Sequence, residues 1–456
     1  PLYTLSLHDA LPILGATAVA GAGISLPWPV PAQPQKTGTG AADKPALLGG
    51  KPVRTRPPRA WPIFDEREEQ ALQAVVRSGK WFRGNGPHVA RFEAAYAEAT
   101  GARYCLATNS GTSALFTSLA AVGVAAGDEV IVAPYTFIAS VNAILLHHAL
   151  PIFVDTDPET LQLDARKIEA AITDRTTAIL PVHLGGYPAD LDTILAVAKP
   201  RRLPVIEDAC QAHLGQWRQR CLGTWGDTGC FSFQASKNLN CGDGGAILTS
   251  NEEWADQCYA FHNQCRPRRG GGGETAPGSL RGGNFRMTEF QAAILLAQLT
   301  RLEEQMRIRE QNAACLDRLL RDIPGIVPAK TYAGGTRNAY HLFMFRYQRE
   351  HFANLPRKRF LEALKAEGVE ARAGYGRLNR AAFLQRALAS RSWQRLFPAD
   401  TLAKWAERTE CPANDRLAEE AAWFTQTTLL GTRADMEQIA DALRKIQKHA
   451  AELARG

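Results

Sequence analysis

The chain predicts an α/β protein built on a mostly parallel sheet covered by helices. Three observations carry this expectation. Short β-branched runs, "DEVIVAPYTF", "LPIFVD", "TAILPVHL", "LPVIEDA", "GCFSF" and "GAILTS", alternate with stretches of helical periodicity. Several of these runs are apolar on both faces, as strands between two helical layers must be. Polar or aromatic residues stand at or just after their ends, where a sheet of this kind takes its ligand: Thr136 and Phe137, His183, Asp208 and Gln211, and Ser232 to Lys237.

In chain order, the first residues are set apart from the fold. "TLSLHDALPI" (4–13) reads like one frame of a common sequencing adapter and is excluded from structural reasoning. "LGATAVAGAGISLPWPVPAQPQ" (14–35) is a small-residue apolar run ending in a Pro-rich stretch, which resembles the end of a twin-arginine export signal. The arginines of such a signal would fall where the adapter-like residues stand, and a disordered arm is the alternative. The run is too short and too interrupted by Gly and Pro for a spanning helix. The expected organisation is a leader and linker over 1–46, largely disordered, a large domain over 47–303 and a smaller C-terminal α/β domain over 304–456.

Beyond the leader the composition is that of a globular protein, 45% hydrophobic and 22% charged, and 456 residues suffice for two domains. Lys and Arg exceed Asp and Glu by 53 to 46, but the excess is scattered apart from "RPRR" (266–269), which argues against a nucleic-acid partner. Nine cysteines without a CxxC pair or a Cys/His cluster read as buried thiols, not as a disulfide framework or a metal site.

The segment "NSGTSALFTSLAAVGV" (109–124) opens as a polar Gly-containing turn and continues as a helix. Its free N–H groups favour a phosphate, although an N-cap alone would look the same. Lys237 lies on a loop beyond one buried strand, Asp208 ends another, and Phe137 follows a third. Singly, these residues have ordinary readings as a surface lysine, a helix cap and core packing, and Gln211 as a solvated helix residue. Together they are the parts of a pyridoxal phosphate (PLP) site: an amine, a carboxylate for the pyridine nitrogen, an aromatic ring for the ring face and a phosphate cradle.

Seven segments then stand in an order that resembles the DegT/DnrJ/StrS family of sugar aminotransferases, a branch of the fold-type I PLP enzymes. They are "NSGTSAL", "APYTFIAS", "PVHLGGYPADLD", "VIEDACQAHLG", "GCFSFQASKNLNCGDGGAIL", "GGNFRMTEFQAAILLAQL" and "TTLLGTRADMEQI". The resemblance implies Lys237 as the Schiff-base lysine, Asp208 as pyridinium partner, Gln211 beside the cofactor 3-hydroxyl and Phe137 as ring stacker. It implies phosphate contacts from Gly111, Thr112, Ser232 and Ser236, with Asn284 reaching across a homodimer to complete the neighbouring site. His183 is a substrate-side candidate, with a satisfied strand-end histidine as the alternative.

In "MTEFQAAILLAQLTRLEEQM", Thr288 and Gln291 have capping-box spacing, and Leu295, Leu299, Leu302 and Met306 make one apolar stripe that reads as core or interface. The glycine-rich stretch before it lacks the GKS or GKT of a nucleotide-binding P-loop; it is either a mobile segment near the site or a surface excursion. "VEARAGYGRLNRAAFLQ" (369–385) resembles the acceptor-pocket region of the aminocyclitol and aminohydroxybenzoate branch, with Arg377 and Asn379 where that branch usually carries a proline turn.

The function so implied is amino transfer from Glu or Gln to a keto sugar, a nucleotide-linked keto sugar or a keto cyclitol. A sugar dehydratase of the same fold and a non-catalytic PLP-binding regulator are the alternatives; Lys237 argues against the first, since such dehydratases typically carry histidine there, and the intact residue set against the second. Supplies of PLP and glutamate, with unpaired thiols, favour cytoplasmic chemistry, export being the alternative.

Overall fold

The apolar runs become strands with no polar face: Val130, Ile131 and Val132 are buried, as are Ile152, Phe153 and Ala178 to Leu180. A computed structural model describes residues 43–57, 59–269, 275–276 and 281–455. The adapter-like and signal-like stretches, and most of the glycine-rich stretch, lie outside the described residues. The first nine strands are β1 (Tyr104–Thr108), β2 (Glu129–Val132), β3 (Leu150–Phe153), β4 (Thr176–Leu180), β5 (Ile206–Asp208), β6 (Gln216–Trp217), β7 (Arg220–Cys221), β8 (Thr228–Ser232) and β9 (Gly245–Thr249).

β2 runs parallel to β3 and β4, and β5 runs parallel to β8. Backbone bridges from Ile179 to Val205 and from Val182 to Asp208 join β4 to β5 in the same sense. The result is a sheet of seven strands in the order β3-β2-β4-β5-β8-β9-β1. Only β9, the "GAILTS" run, is reversed, pairing antiparallel with β1 and β8. The carboxyl ends of the parallel strands therefore share one edge, and the start of β9 joins them there.

The helices after the strands start where side chains satisfy their free N–H groups. Ser110 Oγ accepts from Ser113 N at 3.0 Å and caps Gly111–Ala121. Thr288 N donates to Gln291 Oε1 at 2.8 Å, so the capping box read from the sequence starts the long helix Glu289–Arg321. Leu295, Leu302 and Met306 on its stripe are buried and Leu299 is partly buried, so the stripe is core.

This helix runs through residue 303, where the two-domain expectation put its boundary, and Ala41–Gly456 forms one compact unit. Beyond the helix come β10 (Ile326–Pro328), β11 (Gly335–Arg337), β12 (Leu342–Tyr347), β13 (Arg372–Ala373) and β14 (Ala421–Thr425). They make an antiparallel sheet β10-β12-β14-β13, while β11 pairs with β6. A second core of Phe343, Phe345, Phe352, Phe360 and Phe424 fills this part, with Tyr347 stacked on Phe360 at 4.0 Å. The helix Ala399–Arg408 returns to the large sheet, where Trp405 Nε1 donates to the Pro151 carbonyl at 2.8 Å. No described helix is long and apolar enough to cross a membrane.

One buried carboxylate ties three remote segments together. Glu367 is fully buried and accepts from Ala46 N at 2.7 Å, Val53 N at 2.9 Å and Lys445 Nζ at 3.0 Å. Removing it leaves the buried Lys445 ammonium with only the Lys51 carbonyl at 2.6 Å and no counter-charge, and strips two backbone donors of their acceptor. Glu367→Ala is expected to lower unfolding stability by about 3–5 kcal/mol, measured by denaturant titration; a loss below about 1 kcal/mol would show that water replaces the carboxylate.

Candidate active site

The shared edge of the sheet opens into a cavity of about 770 Å³. Each strand end delivers a different chemical group. After β1, the Ser110 cap turns Gly111 and Thr112 into the first turn of a helix at the cavity wall. Its free N–H groups form an anion cradle. A Cβ on Gly111 would meet Ser232 Cβ at 2.6 Å and Cys210 Sγ at 3.0 Å, so only glycine lets the helix start this close to the end of β8.

After β2, Phe137 precedes the helix Ile138–Leu146 and faces the cavity with 52% of its surface exposed, an unusual state for an apolar ring. A planar partner would cover it. From β5, Asp208 enters the cavity while remaining 5% exposed. Its Oδ2 accepts from Ser140 Oγ at 2.7 Å and its Oδ1 from Cys210 N at 3.2 Å, leaving acceptor capacity for a further donor. Gln211 is held at both ends: Oε1 accepts from Gly185 N at 2.6 Å and Nε2 donates to the Tyr375 hydroxyl at 3.1 Å.

The loop after β8 places Lys237. Gln234 folds it, accepting Ser236 N at 2.8 Å and Ser236 Oγ at 2.7 Å on Oε1, while Lys237 N donates to the Gln234 carbonyl at 2.8 Å. Trp61 Nε1 pins the Ala235 carbonyl at 2.8 Å. The Lys237 side chain is buried, and its Nζ donates to no group among the described residues. Burial pushes its amine below the ordinary lysine value, against the opposing pull of Cys210 and Asp208. A lower value makes the neutral, nucleophilic amine more available at neutral pH. His341, on the same cavity, is pushed well below the ordinary imidazole value by burial and by Lys237, so it stays neutral.

Eight of the residues singled out from the sequence meet here: Gly111, Thr112, Phe137, Asp208, Gln211, Ser232, Ser236 and Lys237. Two do not. His183 is fully buried, its Nδ1 accepts from Ala189 N at 3.1 Å, and its Nε2 meets Glu207 Oε2 at 2.8 Å. With both ring nitrogens engaged inside the protein, its geometry favours the alternative of a satisfied strand-end histidine over substrate contact. Asn284 is exposed on a backbone bridge to Asn263, away from this cavity.

The cavity also holds residues that the sequence reading passed over. Trp61, Ser140, Tyr375, Trp423 and Gln426 line it. Ser140 had a signal, since it follows Thr136 by one helical turn and the two hydroxyls meet at 2.9 Å. Tyr375 lies within the acceptor-pocket stretch, whereas Arg377 pairs with Glu419 and Asn379 is buried against Thr409, so neither lines the cavity.

A seven-stranded sheet with one reversed strand, bringing a buried lysine and a buried aspartate to one cavity, is the arrangement of the fold-type I transferases. The chain belongs to the DegT/DnrJ/EryC1/StrS aminotransferase family, whose sequence model matches residues 62–422, and it is a transaminase. It is similar to L-glutamine:2-deoxy-scyllo-inosose aminotransferase of Streptoalloteichus tenebrarius, 37% identical over 432 residues that cover 90% of this chain and 98% of the relative. The enzyme of that name from Streptomyces lividus is also 37% identical, over 420 residues covering 90% and 98%. Among solved structures, 3-amino-5-hydroxybenzoic acid (AHBA) synthase matches with a TM-score of 0.76 and 31% identity over 89% of this chain and 100% of that one. DesI in the presence of its TDP-sugar product matches with a TM-score of 0.74 and 29% identity over 91% and 99%.

The crowding at Gly111 is directly testable. Gly111→Ala is expected to cost about 1–3 kcal/mol, the usual range for overpacking. Gly376→Ala, where an added Cβ would meet nothing within 4 Å, serves as control. Equal melting temperatures for the two variants would show that the seam yields.

Proposed function

We propose that the chain binds PLP in the 770 Å³ cavity and transfers the amino group of L-glutamine to a keto cyclitol. The observation that carries this reading is the meeting in one cavity of Lys237, with no protein partner for its Nζ among the described residues, Asp208, with open acceptor capacity, and the half-exposed ring of Phe137. The residues fit the group. Gly111, Thr112, Ser232 and Ser236 supply a phosphate cradle, Phe137 a face for a planar ring, and Asp208 an acceptor for a pyridine N–H. Gln211 offers its amide beside the ring oxygen, and Lys237 is the covalent anchor. When bound, PLP supplies an electron sink that stabilises negative charge at the carbon exchanging its amino group.

The protein's own part is to place and move protons. Lys237 Nζ, its basicity lowered by burial, takes the proton from the substrate carbon and returns it at the other end of the transfer. Asp208, oriented by Ser140, keeps its partner nitrogen protonated. Tyr375 holds the amide of Gln211 in one orientation. We assign the region 47–303 to cofactor binding and 304–456 to a smaller C-terminal part that completes the cavity wall through His341, Tyr375, Trp423 and Gln426. The donor and acceptor follow from the glutamine:inosose relatives at 37% identity. Free glutamine and nine unpaired thiols favour the cytoplasm.

Lys237→Ala is expected to abolish amino transfer while leaving the fold intact, and Asp208→Ala to lower turnover by about two orders of magnitude or more. Stopped-flow absorbance of the bound cofactor on adding L-glutamine, then 2-deoxy-scyllo-inosose, measures both. Near-normal turnover by Lys237→Ala would overturn the assignment.

The chain is also proposed to act as a homodimer in which Asn284 of one subunit completes the phosphate site of the other, since Asn284 is exposed and outside its own cavity. Cofactor affinity should then fall on dilution, and Asn284→Ala should weaken it without changing the dimer. Light scattering that shows a monomer still holding PLP tightly would exclude the shared site.

A further inference from the structure

Behind the cavity lies a cation that the reaction as described does not use. Arg309, on the long helix, is fully buried. Its guanidinium finds no carboxylate among the described residues. Nε and Nη2 donate to Gln426 Oε1 at 3.1 and 2.6 Å, Nη2 also reaches Gln305 Oε1 at 3.4 Å, and Nη1 is buried without a partner. The ring of Trp61 lies 5.6 Å from its Cζ. Burial alone pulls its value down to about 9, with no anion offsetting the effect, yet it remains charged at neutral pH. An uncompensated buried charge is costly, so its retention beside a ligand cavity calls for an anion from outside.

The geometry defines how that charge reaches the cavity. Gln426 turns its oxygen to Arg309, so its amide N–H2 must face the other way, towards the Ser236 carbonyl at 3.5 Å and the cavity it lines. The phosphate cradle draws on the Gly111–Thr112 helix start and the hydroxyls of Ser232 and Ser236, whereas Gln426 approaches Ser236 only at its backbone carbonyl. Gln426 instead extends from the end of β14 beside Thr425, Thr427 and Trp61.

We propose that Arg309 and Gln426 form the subsite for the α-carboxylate of the amino donor, with the buried guanidinium polarising the amide that contacts it. This inference rests on the donor and acceptor reading above, and it answers a demand that reading creates. One site must take first an anionic amino acid and then an uncharged cyclitol. A direct arginine contact would be left unpaired by the second substrate, whereas a neutral amide donates equally to a carboxylate or a hydroxyl. The charge behind it favours the carboxylate without obliging every ligand to supply one. Gln426 is a binding residue and Arg309 a positioning residue.

Gln426→Glu separates this role from a structural one, because the new carboxylate pairs with Arg309 and repels the donor. The variant should melt at a higher temperature than wild type. Its Kd for L-glutamine, titrated on the holoenzyme through the cofactor absorbance, should rise roughly tenfold or more. The reaction of the aminated enzyme with 2-deoxy-scyllo-inosose should fall by less than the reaction with L-glutamine, because a carboxylate at 426 can still accept from a cyclitol hydroxyl but repels the donor's carboxylate. Glutarate, a carboxylate probe without an amino group, should raise the melting temperature of wild type and not that of the variant. Arg309→Met should weaken L-glutamine more than the inosose, and Arg309→Lys should restore part of the loss. If Arg309→Met fails to fold, Gln426→Glu still decides. Wild-type affinity of Gln426→Glu for both L-glutamine and glutarate would overturn the inference, as would a loss confined to cofactor affinity, which would give the charge to the phosphate. Failure of wild type to respond to L-glutamine would instead defeat the donor reading, with the glutarate arm still testing the carboxylate subsite.

Discussion

The close approach of the Gly111 helix start to the end of β8 is the contact on which the site depends. With Ser232 Cβ 2.6 Å from where a Gly111 Cβ would stand, the first helical turn and the end of the central strand meet without a side chain between them. The reversed strand β9 closes the same seam, since a Cβ on Gly245 would lie 2.3 Å from the Ser110 carbonyl oxygen. Free N–H groups, the Ser232 hydroxyl and the loop bearing Lys237 are thereby drawn to one place. A wider seam would separate the anion cradle from the amine. Parallel strands supply the common edge, but glycine sets the spacing at which that edge becomes a site.

Much of this was legible because strand ends are legible. The doubly apolar runs announced a buried parallel sheet, and the rule that ligands lie past its carboxyl ends led to Asp208, Phe137 and Lys237. Their roles came from resemblance, not from periodicity, since each alone has an ordinary reading. What escaped is contributed from a distance. Trp61 precedes the sheet entirely, and Tyr375, Trp423 and Gln426 arrive from the C-terminal sheet, so no local pattern joins them to β5 or β8. His183 shows the limit of the rule itself. It stands at the right edge, but the turn at Leu184–Gly186 directs its ring inward, and sequence spacing does not reveal that direction.

Neighbouring residues on β5 show how one strand serves stability and chemistry back to back. Side chains alternate across a strand, so Glu207 and Asp208 face opposite sides. Glu207 is fully buried and its two oxygens receive Gly223, Trp225 and Gly226 N–H groups at 2.7 Å and His183 at 2.8 Å. Burial would raise its value, but His183 and these donors hold it below the ordinary glutamate range. Every acceptor position of Glu207 is used inside the protein, so it can serve only as a pin for the loop after β7. Asp208 has two donors and faces the cavity. The difference between a structural and a reactive carboxylate thus lies in unfilled acceptor capacity, not in burial, which the two share.

The same criterion extends to the cations. Lys445 is buried and paired with Glu367, and Arg301 is buried and paired with Glu68, so both charges are spent on the fold. Lys237 and Arg309 are buried without a carboxylate partner among the described residues, the first lining the cavity and the second one residue behind it. The amine of the first and the charge of the second are left open to ligands. On the proposed reading a transaminase needs both, a covalent link for its cofactor and an ionic contact for its amino acid, and Lys237 and Arg309 are the residues assigned to them.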